Sequence, residues 1–161
     1  ARQAPPLDLE PPAAPSFAEA QAASAHFAGH ASHIFPRCST CGPARDDGLR
    51  GFAGPAGREG LVAAPFEAPA DLHDGDGRLE EPVLWAALDC PGYFAVAQGE
   101  AALLGRITGE VRGALERGER AIALGWALGR EGRKLFAGTA VYREDGALLA
   151  LARQTWIALR S

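Results

Sequence analysis

The stretch Leu84-Trp85-Ala86-Ala87-Leu88-Asp89-Cys90-Pro91-Gly92-Tyr93-Phe94-Ala95-Val96-Ala97 decides the fold. It is an apolar, helix-forming segment with a single carboxylate, Asp89, at its centre. The start falls near Glu81-Pro82: proline suits the first helical turn, and Glu80 and Glu81 suit the positive end of the dipole. Pro91 is expected to interrupt or kink the helix, because its ring removes a backbone donor and crowds the preceding turn. Gly99 is a natural stop, which predicts a helix over about residues 82–98. An acid inside such a segment is costly to bury without a partner or a task, so Asp89 is the first place to look for chemistry.

Everything after Gly99 reads as strand and hairpin. Ile107, Gly109 and Val111 alternate with Arg106, Thr108, Glu110 and Arg112, the pattern of a half-buried strand. Ile122, Leu124, Trp126 and Leu128 alternate with Ala121, Ala123, Gly125 and Ala127. Arg130-Glu131-Gly132-Arg133 is a hairpin turn, Leu135 to Val141 carries the next strand, and Glu144-Asp145-Gly146 turns again before Leu148–Leu159. One long apolar helix ahead of an antiparallel meander predicts an α+β fold in which the sheet wraps the helix.

The first half is less regular. Pro5, Pro6, Pro11, Pro12 and Pro15 make residues 1–15 an extended linker, followed by a domain over 16–161. Ser16 and Glu19 form a capping box for an Ala-rich helix from Phe17 to about His30. Residues 31–60 are rich in glycine and proline, with a short strand expected at Leu49–Ala53 and a better one at Leu61–Phe66. His73-Asp74-Gly75-Asp76-Gly77 reads as a turn, and its acids lack the spacing of a calcium loop.

A chain of 161 residues is long enough to bury a core as one domain. Its net charge of −4 offers no electrostatic reason to bind nucleic acid or an anionic membrane. No apolar run approaches the ~20 residues that span a bilayer. Three cysteines are an odd number for a secreted disulfide framework, so a reducing, cytoplasmic setting is expected. The chain contains no methionine, and with its Pro-rich start it reads as a processed chain or the later part of a longer one.

Cys38-Ser39-Thr40-Cys41-Gly42 places two thiols at the spacing of a zinc knuckle, with glycine permitting the turn. It supplies half of a tetrahedral site. Among His26, His30 and His33, spaced to share one helix face, His33 is the best third ligand, and Cys90 or His73 would have to complete the set through the fold. The alternative is two reduced thiols in a tight turn. No cofactor is otherwise implied: there is no phosphate-cradling glycine loop and no Gly-x-Ser-x-Gly elbow. Trp85, Trp126 and Trp156 read as core or interface residues.

Phe35-Pro36-Arg37-Cys38-Ser39-Thr40-Cys41-Gly42-Pro43, Gly48-Leu49-Arg50, Trp85-Ala86-Ala87-Leu88-Asp89-Cys90-Pro91-Gly92 and Gly129-Arg130-Glu131-Gly132-Arg133-Lys134 together resemble a family of actinobacterial thioesterase-like hotdog proteins. The resemblance extends over roughly residues 5–160 and implies a hotdog fold, with this chain as the second half of a double hotdog. Through the hotdog fold it also implies the pattern of one large group of hotdog thioesterases, in which an acid on the central helix, about nine positions after the helix-start motif, acts as nucleophile or general base. Asp89 stands nine positions after Glu80.

The chain departs from that pattern twice. Glu80-Glu81-Pro82 stands where one large group of hotdog thioesterases has His-Gly-Gly, and Pro82 removes an N–H that could polarise a thioester carbonyl. Tyr93 stands where a small residue, usually glycine, is expected, so the pocket is partly filled. The implied activity is an acyl-CoA thioesterase-like hydrolase acting on or binding an acyl thioester. Asp89 is then the catalytic residue, Gly92 and Tyr93 shape the acyl pocket, and Arg130 and Arg133 reach the phosphates of the substrate unless they are merely a solvated hairpin tip. The competing expectation is a non-catalytic acyl-binding or assembly domain. Both imply a homodimer or pairing with another hotdog half, since an isolated copy would expose an apolar sheet edge.

Overall fold

A computed structural model of the chain describes residues 6–160. Two helices, α1 (Phe17–Ser24) and α2 (Glu81–Val96), accompany six strands: β1 (Gly54–Pro55), β2 (Leu61–Phe66), β3 (Ala102–Val111), β4 (Ala121–Glu131), β5 (Lys134–Arg143) and β6 (Leu148–Ala158). The strands form one sheet in the order β1-β2-β4-β5-β6-β3, with every neighbouring pair antiparallel. After α2 the chain crosses to the far edge, where β3 lies beside β6. This is the expected central helix against an antiparallel sheet. No helix of the described residues is long and apolar enough to cross a membrane.

The two faces of the sheet differ in side-chain size. The face toward α2 carries Ala121, Val141, Ala150 and Ala152, which pack with Leu84, Ala87 and Leu88. Small residues let the helix lie close. At Gly125, on the same face, an added Cβ would overlap the carbonyl oxygen of Pro91. The alternate residues Ile122, Leu124, Trp126, Tyr142 and Leu151 point to the opposite face, where α1 covers them with Phe17 and Ala20. Burying each such side chain contributes roughly 1.5–3 kcal/mol.

Residues 6–15 have no helix or strand, as their prolines require, but they are fastened along this outer face. Leu7, Leu9 and Ala14 pack on its core, Tyr142 Oη donates to the Pro12 carbonyl at 3.0 Å, and Arg153 Nη2 donates to the Asp8 carbonyl at 2.7 Å.

The remaining sequence expectations meet mixed outcomes. The Ser16–Glu19 capping box is present, but α1 stops at Ser24 rather than near His30. Phe27 turns inward there and stacks on Phe52 with ring centroids 5.1 Å apart, and this packing overrides the helix propensity of the alanines. His26, His30 and His33 therefore share no helix face. The strand expected at Leu49–Ala53 is absent, and the two-residue β1 forms just after it against Val62 and Ala63. Leu61–Phe66 is a strand as expected. Pro91 does not interrupt α2, which continues to Val96 and is capped by Ala97 donating to the Tyr93 carbonyl.

Candidate functional site

Asp89 occupies the face of α2 beside the one that packs on the sheet, and one turn later Tyr93 projects from the same side. Both border a cavity of about 200 Å³ whose walls are mostly apolar: Ile34 and Phe35 from the loop after α1, Leu103 and Leu104 from β3, Trp156 from β6, and Phe94. The Asp89 Oδ1 atom is buried and has no hydrogen-bond partner among the described residues. Burial, and secondarily the negative charge of Cys38, pushes its carboxyl up to about 6. A carboxylate held this way is a proton acceptor near neutral pH.

The floor of the cavity is sulfur. Cys38, Cys41 and Cys90 all line it, and their Sγ atoms lie within 4.8 Å of one another. Cys38 Sγ stands 3.8 Å from Cys90 Sγ, although the two residues are 52 positions apart. All three are free thiols. Hydrogen bonds from Cys41 and Cys90 hold the Cys38 thiol far below its usual range, while the same bonds push Cys41 up to about 12 and raise Cys90.

His33 touches this cluster at one point. Its Nδ1 accepts from the Phe35 N–H at 3.0 Å, which places the proton of the neutral ring on Nε2. Nε2 lies 3.2 Å from Cys41 Sγ and donates to it. Desolvation keeps the imidazole below its ordinary pKa, against the pull of Cys38.

Of the residues singled out in the sequence, the fold gathers Asp89, Tyr93, Cys38, Cys41 and His33 around one cavity. Tyr93 is a half-buried part of its lining, its ring edge-on to Trp156 at 5.5 Å and its Oη donating to the Glu100 carbonyl at 2.9 Å. Gly92 is buried between helix and sheet, where an added Cβ would overlap Gln154 Oε1. Arg130 is paired with Glu100 and also donates to the Gly132 carbonyl, and neither it nor Arg133 lines the cavity. His73 lies elsewhere, against the Pro69 carbonyl at 3.1 Å. Asp74 accepts from the N–H groups of Asp76 and Arg78, which accounts for that loop as a turn.

Three contributors carried no local signal. Gln154, fully buried on β6, donates to the carbonyls of Leu88 and Asp89 and accepts from Trp156 Nε1. Leu103 and Leu104 reach the cavity only because β3 lies beside β6. In the sequence Gln154 stands within the polar run Arg153-Gln154-Thr155, which gives no sign that its amide is buried.

No family model matches the chain, and no curated protein matches it. Solved structures do. The PaaI protein of the Escherichia coli phenylacetic acid degradation operon superposes with a TM-score of 0.59 at 16% identity, covering 64% of this chain and 75% of its own. A hypothetical thioesterase of Streptococcus pneumoniae TIGR4, solved with coenzyme A, gives 0.59 at 14% identity, covering 65% and 84%. The smu.793 protein of Streptococcus mutans UA159, solved with acetyl-CoA, gives 0.60 at 12% identity, covering 65% and 86%. At these identities the likeness is one of fold, and the fold is the α+β hotdog, with thioesterase-like proteins among its structural neighbours.

Proposed function

We propose that the chain is a thioesterase-like hotdog hydrolase of acyl thioesters such as acyl-CoA, with Asp89 as its base or nucleophile. The observation that carries this reading is the Asp89 carboxylate, raised in pKa and unpartnered at Oδ1, opening on an apolar cavity. As a base it removes a proton from water, the oxygen adds to the thioester carbonyl, and the tetrahedral intermediate expels the thiolate, which takes up a proton. The apolar wall receives the acyl chain. About 200 Å³ is below the usual range of roughly 300–1,000 Å³ for ligand sites, which favours a short acyl group. Tyr93, in the lining, shapes the acyl pocket.

A second reading has its own observation. Carbonyl polarisation needs donors, and the start of α2 presents Glu80, Glu81 and Pro82, two carboxylates and a residue without an N–H. That arrangement suits a non-catalytic acyl-binding or assembly half. In either case we propose that β3, an edge strand with Leu103 exposed, pairs with another hotdog copy or half.

Hydrolysis measured over a series of acyl-CoA chain lengths, wild type against Asp89→Asn, separates the two. Turnover that disappears in the variant supports the hydrolase. Equal rates in both proteins sink the catalytic role of Asp89, and binding without turnover selects the second reading.

A further inference from the structure

We infer that Cys38, Cys41 and Cys90 form a binding site for one thiophilic d¹⁰ cation, Zn²⁺, with a fourth coordination position facing the cavity. The inference is independent of whether the chain hydrolyses thioesters.

Sulfurs bound at about 2.3 Å to a tetrahedral zinc stand roughly 3.8 Å from one another. Cys38 Sγ and Cys90 Sγ are separated by 3.8 Å, and all three sulfurs lie within 4.8 Å of one another. They converge on a point. In a [4Fe–4S] cluster each thiolate binds its own iron, which holds the sulfurs farther apart than these, so a mononuclear ion is the better fit.

The ligand-bearing loop is built for the purpose. Cys38 N–H donates to the Phe35 carbonyl and Gly42 N–H to the Cys38 carbonyl, each at 2.9 Å. A Cβ at position 42 would overlap the Cys38 backbone and the Pro36 carbonyl, so only glycine allows the knuckle to close. The third ligand comes from a different element, the centre of α2. An ion held by all three therefore ties the loop to the helix that carries Asp89.

His33 is not a ligand in this arrangement. Its Nε2 carries the ring proton and donates to Cys41 Sγ, while the convergent set includes neither His33 nor Asp89. It acts as an outer partner that offsets part of the thiolate charge. The three cysteines line the cavity, so the ion's remaining position faces it and takes water. Each coordinated thiol that is still protonated releases its S–H proton to solvent as its S–Zn bond forms, and no electron is transferred.

The test loads the reduced full-length protein with Zn²⁺ alone, desalts it and measures bound metal by elemental analysis. One zinc per chain is expected. Co²⁺ in its place should give thiolate-to-cobalt charge transfer and the intense visible bands of a tetrahedral, sulfur-rich site. Cys38→Ser, Cys41→Ser and Cys90→Ser should each weaken binding by at least ~10-fold, while His33→Ala still takes up one zinc. The cobalt spectrum of the wild type decides the matter should the serine variants fail to fold. Three results overturn the inference: a folded, reduced wild type that retains no metal, a Cys90→Ser protein that binds as tightly as wild type while His33→Ala binds none, or a cobalt spectrum without sulfur ligation.

Discussion

Gln154 donates through Nε2 to the backbone carbonyl of Asp89 at 3.0 Å, and to that of Leu88 at 2.7 Å. Its other end accepts from Trp156 Nε1 at 2.7 Å. A fully buried amide with both ends in use joins the turn of α2 that bears the carboxylate to the strand that supplies a wall of the cavity.

Replacing Gln154 should loosen that join. Gln154→Leu leaves the Trp156 N–H buried without an acceptor, a loss of about 2–3 kcal/mol in urea unfolding. Gln154→Glu keeps the shape but aims an acceptor at two carbonyls, and its cost should exceed that of leucine at neutral pH. Equal stability of wild type and Gln154→Glu would show that the amide orientation does not matter.

Gly92 and Gln154 are coupled by contact. A methyl group at position 92 overlaps Gln154 Oε1 and presses Thr139 Cγ2 at 3.2 Å. Gly92→Ala alone should cost about 1–3 kcal/mol, as overpacking does. Gln154→Ala makes room for it, so the double variant should be more stable than the sum of the singles by about 1 kcal/mol or more. Additive behaviour in that cycle removes the steric account.

The segment before α1 is expected to matter for stability. Removing residues 1–15 takes away Leu7, Leu9 and Ala14, which pack against the outer-face cluster that includes Ile122, Leu124, Tyr142 and Leu151. The truncated chain should lose several degrees in thermal midpoint and gain fluorescence from an apolar dye. Tyr142→Phe, which removes only the bond to Pro12, should cost about 0.5–1.5 kcal/mol. An unchanged midpoint after truncation would mean that the segment is held too loosely to count.

These contacts show where sequence reading works and where it stops. The alternation in β4 to β6 and the apolar run of α2 were legible because side-chain periodicity is a local property. The end of α1 was not, since Ala25 and Ala28 beyond Ser24 continue to favour helix and only the ring of Phe27 against Phe52 and Phe94 takes the chain away. Pro91 breaks helices on local grounds, yet α2 passes through it against a sheet thinned by Gly125. The Cys-x-x-Cys pair was visible, whereas its meeting with Cys90 depends on packing across 52 positions, and Gln154 reaches Leu88 across 66.

Tyr93 should govern acyl length. Its ring lines the cavity between Phe94 and Trp156, at centroid distances of 4.9 and 5.5 Å. Tyr93→Ala lengthens the space and should move the preference of binding or turnover toward longer acyl-CoA, at a stability cost of about 2–4 kcal/mol. Tyr93→Phe keeps the ring, loses only the bond to Glu100 and should leave the preference in place. A chain-length profile unmoved by alanine would place the acyl group elsewhere.

Asp89→Asn should trade activity for stability. An unfolded aspartate has a pKa of about 3.9. In the folded protein burial raises it to about 6, so the native state binds the proton more tightly than the unfolded one. Stability is therefore full below the unfolded value, falls as pH rises from about 4 to about 6, and stays low above that, by at most about 2–3 kcal/mol. Asparagine carries no charge to desolvate. In reduced, chelator-treated protein its thermal midpoint should exceed the wild type's at pH 7.5, and the difference should shrink to near zero at pH 4. Acyl-CoA hydrolysis at pH 7.5 should vanish in the same variant, since the amide cannot accept the proton. Loss of activity with a gain in stability marks a carboxylate kept for chemistry. Loss of both would instead mean that the charged form makes a stabilising contact, and the base assignment would fall with it.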